Sequence, residues 1–379
     1  MGSSKGSGFD THVPQRMPSS PGINSTARKR PGTAKNRSSS FLTHFLNAGT
    51  TGRGESGYYS IPSHWLCSGR RIPFRIYSLN TAGNAVVLCE QNRVYMLHET
   101  AQGASDRDKG SVFIDKKSSS ELLYYLDDNI DEILSGPAGA SEKAELFYYL
   151  AFRRTRNAFL RPTRTAVADM KQIIAVMIEQ IFQDPEVLSD VFSLMQDNVC
   201  RQPYHPMVTF VHSLNVGILA TMFVSRVLES LPRNTLEEVS LGYFFHNIGM
   251  MRIPQSVLNR ENTLSEGSWS FIHKHPQWGY EIMARTRGMN PEMAHIVMEH
   301  HERPDGTGYP RSLTGTDIHF FVKVCTIVDT LDALVSPRVY RHPMTLVDAL
   351  KLMKERTPQE YDPFILSRLI LVLLHEDLI

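Results

Sequence analysis

His300 and His301 stand side by side and run directly into Glu302-Arg303-Pro304-Asp305-Gly306-Thr307-Gly308-Tyr309-Pro310. On a helix, adjacent side chains point about 100° apart, so such a pair serves two neighbouring ions, or one ion and a substrate, rather than gripping one. Two glycines permit positive φ in the loop that follows, an Asp can bond its own backbone, and a Pro ends the turn. Eight of the 15 histidines fall between His205 and His301, about a quarter of the chain. Candidate ligands are His212, His246, His275, His300 and His301. Asp329 joins them, because it follows the apolar stretch Val322–Val328, where a carboxylate is costly unless it meets a cation. Imidazoles and carboxylates converging from several helices are how a helical bundle builds a metal centre. A nitrogen and oxygen set without thiolate favours iron or manganese, as one or two ions, over structural zinc.

The elements that must position these groups are helical. Pro291–Glu299 is a helix closed by the histidine pair. His212 begins an amphipathic helix, His246-Asn247-Ile248-Gly249 ends the apolar run Leu241–Phe245, and His275-Pro276 lies between Trp269 and Trp278. Loops are expected at 251–265 and 302–317. His273 reads as a surface histidine and His295 as a helix-face one, His205 as a loop residue, and Glu302, Asp305 and Asp332 as groups that cap loops or support ligands. Upstream, 141–198 forms a helical connector, with helices over Ser141–Phe159 and Thr163–Phe182 and a third starting at Asp184-Pro185. The connector either joins domains or packs as a homodimer face. Residues 57–135 form a small α/β domain of regulatory type. Its strands are expected at Ile72–Ile76, Ala85–Cys89, Arg93–Leu97 and Ser111–Asp115, before a helix capped by Ser119. Arg71 and Arg75 resemble half of the PilZ signature, but the other half is absent, and a strand with a solvated basic face is the better account.

The fold class expected is mainly α: a helical bundle over 199–379, preceded by the connector and the small α/β domain. Hydrophobic content of 41% and charged content of 21% suit a globular protein. The first 40 residues carry a net charge of +6, which leaves −5 for the remainder of a chain whose total is +1. A mildly acidic body argues against nucleic acid as its partner. Residues 1–56 are basic, Ser- and Gly-rich and poor in apolar side chains, and are expected to be disordered. Cys67, Cys89, Cys200 and Cys325 are scattered without a C-x-x-C pair, which suits free thiols in a reducing compartment. With no run of 18 apolar residues and no secretory h-region, no transmembrane segment is expected and the cytoplasm is the expected location.

Seven motifs follow in order: His212-Ser213-Leu214-Asn215-Val216; His246-Asn247-Ile248-Gly249 with Ile253-Pro254; Leu264-Ser265 with Trp269; His275-Pro276 with Gly279; His300 to Pro310; Val328-Asp329 with Asp332-Ala333-Leu334; and Arg338-Val339-Tyr340-Arg341. Together, from about His205 to Leu350, they resemble the HD-GYP family, a subset of HD phosphohydrolases that hydrolyse the bacterial messenger cyclic di-GMP. The resemblance implies metal ligands at His212, His246, Asn247, His275, His300, His301 and Asp329, with His246, Asn247 and Asp329 catalytic. It places Gly308, Tyr309, Pro310, Arg338 and Arg341 against substrate, with pGpG or GMP as product. It also implies signalling partners such as GGDEF-domain proteins. The sequence departs from the family at three places. Asn247 replaces the Asp of the HD pair, which bridges two metals. Met250 replaces a Lys, and Val208 replaces a Glu that completes a third metal position in some members. The first two departures imply a weakened dinuclear site. The alternatives left open are a degenerate protein that binds cyclic di-GMP or a partner as a sensor or adaptor, and an HD phosphohydrolase of another phosphoester.

Overall fold

The computed structural model describes residues 57–80, 84–96, 111–199, 205–259, 266–336 and 342–379. Four strands, β1 (Tyr58–Pro62), β2 (Ile76–Leu79), β3 (Ala85–Cys89) and β4 (Ser111–Asp115), form an antiparallel sheet in the order β1-β4-β2-β3. Phe113 sets the register, lying opposite Ser60 on one side and Tyr77 on the other. The alternating stretch around Ile72 and Phe74 was expected to be a strand and is not one. Arg71 makes a single bridge to Val94 and the ladder begins only at Ile76. Pro73 explains the gap, since it has no N–H to give a ladder. Ile72, Phe74 and Ile76 are all fully buried, so the alternation marks a buried face rather than a hydrogen-bonding pattern. Arg93–Tyr95 is likewise no named strand, but it pairs with Gly69–Ile72 through the Val94 bridge and through bonds from Ile72 N–H to the Arg93 carbonyl and from Tyr95 N–H to the Arg70 carbonyl. Leu97 lies outside the described residues.

Two helices, α1 (Ser119–Asp128) and α2 (Ile130–Ser135), follow the sheet. The N-cap of α1 is Ser118, and Ser119 instead turns its hydroxyl back to donate to the Lys116 carbonyl. Tyr125 of α1 accepts from Cys67 N–H at 2.7 Å and meets Phe74 edge-on. Next come α3 (Ala140–Leu160), α4 (Arg164–Val176, prolonged by a π turn over Met177–Ile181) and α5 (Pro185–Val199). Thr163 caps α4 by accepting from Ala166 N–H. Arg154 is buried yet satisfied, donating to Asp127 of α1 at 2.6 Å and to the Asp169 carbonyl of α4 at 2.7 Å. One guanidinium thus ties the sheet-bearing region to the connector.

The remaining helices are α6 (Met207–Val227), α7 (Arg233–Phe245), α8 (Glu266–Ile272), α9 (His275–Thr286), α10 (Pro291–Glu299), α11 (Phe320–Val335), α12 (Leu346–Glu355) and α13 (Pro363–His375). The molecule is mainly helical, and α6 is its axis, packing against α3, α5, α7, α11 and α13. The sequence suggested an amphipathic α6. In the structure it is buried on all sides from Thr209 to Val224, excepting Val211, because neighbours cover its whole circumference. This 21-residue helix contains an 18-residue window of mean hydropathy 1.7, enough by length and composition to cross a membrane, but 83% of that window is buried inside the fold. It is a core helix.

Between α7 and α9, a 3-10 turn over Ile248–Arg252 docks on the start of α9. Gly249 makes this contact possible, since a Cβ there would lie 1.9 Å from the His275 carbonyl oxygen. Gly249→Ala is expected to lower the unfolding free energy by about 3 kcal/mol through overpacking against backbone, read as a shifted urea midpoint at unchanged m-value.

Candidate metal centre

Three helix ends and two helix faces meet at one buried point. His212 projects from α6 and Asp329 from α11. His246 is the C-cap of α7, His275 opens α9, and His300 is the C-cap of α10, with His301 immediately after it. All six are brought together in two groups, His212-His246-Asp329 and His275-His300-His301, the ligand atoms of each lying within 4.8 Å of one another.

Backbone carbonyls fix the histidine tautomers. Nδ1–H of His246 donates to the Tyr243 carbonyl at 2.7 Å, that of His275 to Ile272 at 2.6 Å and that of His300 to Val297 at 3.1 Å. Each of these rings therefore presents Nε2 as a bare lone pair. The Nε2 atoms of His275 and His300 face each other at 3.0 Å. Two lone pairs at that distance repel, and a cation between them relieves the repulsion. Burial first, then the neighbouring imidazoles, holds the pKa of both rings well below normal. Burial also lowers His301 to about 4. At neutral pH this trio offers uncharged nitrogen donors, as a metal site requires.

The other group is charged. Burial alone would lower the pKa of His212, but Asp329 on Nε2 at 2.8 Å and Asp332 on Nδ1 at 2.6 Å raise it to about 9. The Asp329 carboxyl would be raised by burial, yet the hydrogen bond from His212 and the nearby His246 ring hold it well below the usual carboxylate range. Its two oxygens serve different sides: Oδ1 lies 3.5 Å from His246 Nε2, and Oδ2 lies 4.0 Å from His301 Nδ1. Asn247 places Nδ2 2.8 Å from His246 Nε2. Because His246 spends its own proton on Tyr243, the amide must be the donor, and it caps the lone pair that a metal would use.

Asp332 belongs to a longer chain of hydrogen bonds. Its Oδ1 accepts from Asn215 Nδ2 at 3.1 Å, and Asn215 Oδ1 accepts from the Tyr148 hydroxyl of α3 at 2.9 Å. The relay Tyr148–Asn215–Asp332–His212 is buried throughout. Asn215 lies inside the first histidine motif, and the D-x-x-D spacing of Asp329 and Asp332 hinted at a supporting role. Tyr148 carried no local signal, being 67 residues from its partner.

The loop after His301 is tied from within. Glu302 accepts from Arg311 N–H at 2.6 Å and Leu313 N–H at 2.8 Å, and Asp305 accepts from Thr307 N–H at 2.9 Å. Gly308 passes so close to the chain that a Cβ would sit 2.4 Å from Arg303 N. Thr326 of α11 donates to the His300 carbonyl at 2.8 Å. Tyr309 is thereby laid on the His301 ring, centroids 4.7 Å apart and 22° from parallel, with exposed Pro310 beyond. Met250 lies on the 3-10 turn and Val208 on the first turn of α6, and neither offers a donor or a charge. Arg338 and Arg341 lie outside the described residues. His205 bonds Thr209 Oγ1 through its ring, and His295 meets Glu299 at 3.2 Å and stacks on His319.

Residues 189–365 match the family described as HD domain. A cyclic di-GMP phosphodiesterase of Pseudomonas aeruginosa is 32% identical over 148 residues, 39% of this chain and 35% of the relative. A 3'3'-cGAMP-specific phosphodiesterase of Vibrio cholerae is 31% identical over 126 residues, 33% of this chain and 24% of the relative. A solved structure of an HDG"Y"P protein from Bdellovibrio bacteriovorus superposes with a TM-score of 0.56 over 83% of this chain and 99% of that one, at 16% identity, a likeness of fold. Residues 189–365 form an HD domain, similar to those of HD-GYP proteins. The chain spans less than two thirds of the length of the curated relatives it matches.

HD-domain proteins are metal-dependent, and the donors here fit a metal: nitrogen and carboxylate only, with two lone pairs confronted and a carboxylate shared between the groups. The two half-sites differ in how protons compete for them. His212, raised to about 9, must release a proton to ligate, so the apparent affinity of its half falls as the pH drops below 9. The trio meets proton competition only near the value of about 4 set by His301. Metal content after equilibration at pH 8 and pH 6 in limiting manganese is expected to drop in the wild type. The drop is expected to vanish in a His212→Ala variant.

Proposed function

We propose that this protein hydrolyses a cyclic dinucleotide in a metal-dependent reaction, with cyclic di-GMP as substrate and pGpG or GMP as product. The observation that carries the reading is the pair of ligand groups sharing Asp329 directly beneath the Gly308-Tyr309-Pro310 loop. His275, His300 and His301 would hold one ion, and His212, His246 and Asp329 a second, with iron or manganese suited to such donors. A bound divalent metal supplies Lewis-acid charge and water activation for phosphodiester cleavage. The chain's own residues do the rest. Asp332 fixes the ring of His212, Glu302 holds the loop in place, and Tyr309 stands at the mouth beside His301. Arg338 and Arg341 are proposed to meet the substrate phosphates, guanidinium being suited to bidentate pairing.

Asn247 makes the two halves unequal. It contributes no charge where a bridging carboxylate would, and its N–H occupies His246 Nε2. The same contact favours a second reading, in which the domain binds the dinucleotide or a partner and signals without turnover. The reading extends to a cytoplasmic bacterial signalling role. Residues 57–135 would be a regulatory domain and 141–198 a connector or dimer face, with GGDEF-domain proteins as candidate partners.

Metal analysis should be run together with hydrolysis of cyclic di-GMP and 3'3'-cGAMP under iron and manganese. The wild type is expected to hold between one and two ions and to turn over slowly. Asn247→Asp is expected to approach two ions and raise the rate by an order of magnitude or more, on the scale of about 10²-fold for a lost metal-ligand interaction. Tight binding with no turnover in either protein overturns the enzyme reading in favour of the sensor.

A further inference from the structure

The Tyr309 ring is flanked by two imidazoles. His301 stacks on it from the metal side, and His273 lies 4.2 Å from it at 30°. Two rings cannot share one face of a phenol without touching each other, so they cover opposite faces. Tyr309 therefore has no free face for a base. The aromatic series does not stop there, because His273 is followed by Trp269, 5.9 Å away, one helical turn back at the end of α8. His273 N–H donates to the Trp269 carbonyl at 2.9 Å, which fixes the two side chains on one edge of the turn. Trp269 is 43% exposed, a high value for an indole. The result is an unbroken run of rings, Trp269–His273–Tyr309–His301, from the surface to the candidate metal ligands.

We propose that Trp269 and His273 form the base-stacking platform of this site, receiving a purine of the cyclic dinucleotide. The proposal rests on the cyclic-dinucleotide reading above and adds to it which residues hold the base. Each base of such a ligand hangs one ribose away from a phosphate. A phosphate drawn to the His300-His301 end therefore carries a base outward over the same edge. The open π surface met there belongs to His273 and Trp269, since Tyr309 is covered. Stacking needs no hydrogen-bond code, so the platform sets affinity for purines and leaves the choice among them to other contacts.

The test is equilibrium binding of cyclic di-GMP and cyclic di-UMP to the manganese-loaded full chain, with KM in its place where turnover is seen and metal content measured alongside. Trp269→Ala and His273→Ala are each expected to weaken cyclic di-GMP binding by about tenfold. His273→Phe and Trp269→Tyr, which keep a flat ring, should stay within about threefold of wild type. The pyrimidine ligand, with less surface to stack, should bind more weakly and respond less to the alanine changes. Metal content should match the wild type in every variant. Alanine variants that bind cyclic di-GMP as the wild type does would overturn the platform and leave the proposed function standing. So would loss of metal in parallel with affinity, or failure of the aromatic replacements to restore binding. A wild type that binds no cyclic dinucleotide would remove both, and the aromatic edge would then belong to a protein partner.

Discussion

A single carboxylate governs the interior of this molecule. Asp329 sits in a helix otherwise made largely of Val, Ile, Leu and Phe, and nothing apolar can compensate its burial. Its neighbours are instead imidazoles from three other elements. Each of those elements ends or turns where it does so that a histidine reaches the carboxylate: α7 stops at His246, α10 stops just before His301, and α6 runs through the core with His212 facing inward. The close approach at Gly249 and the internal ties of the loop keep these ends in register. The bundle is arranged around the need to surround one negative charge.

The six candidate ligands that the structure brings together were legible in the sequence because metal chemistry restricts residue type severely. A cluster of histidines and an isolated Asp in an apolar run are costly to bury apart, and a shared cation removes that cost. Helix starts were legible too, as at Asp184-Pro185, which combines an acceptor side chain with a preset φ. Other features were hidden for physical reasons. The stretch from Ile72 to Ile76 alternates because one face is buried, and alternation alone cannot reveal that Pro73 breaks the ladder. The circumference of α6 is decided by what packs around it, and no window of its own sequence contains that information. The tautomers that confront two lone pairs depend on carbonyl positions three or four residues back. The Tyr148–Asn215 bond joins segments 67 residues apart, beyond the reach of any local pattern.

Asn247 departs from the family pattern in chemistry more than in size. It is the N-cap of the 3-10 turn, and an amide is nearly the size of the carboxylate that the resemblance implies there. What changes is the sign of the interaction: a donor now faces the His246 lone pair where an acceptor would compete with it for a cation. The tyrosine loop, held by Glu302, Gly308 and Thr326, retains the bonds that shape it. The frame around the candidate ligands thus keeps its own bonds, while Asn247 turns a donor toward one of them.

The relay from Tyr148 bears on how such proteins are assembled over evolutionary time. A hydroxyl lent by the connector completes the hydrogen bonding of Asn215, which supports Asp332 and through it His212. A genetic exchange that joined this HD domain to a different upstream segment would leave an unfilled acceptor beside a metal ligand. The incoming segment would have to bring its own hydroxyl at the same height on its helix. Inheritance should therefore treat α3 and the bundle as one cassette, with shuffling confined to what lies before Ala140.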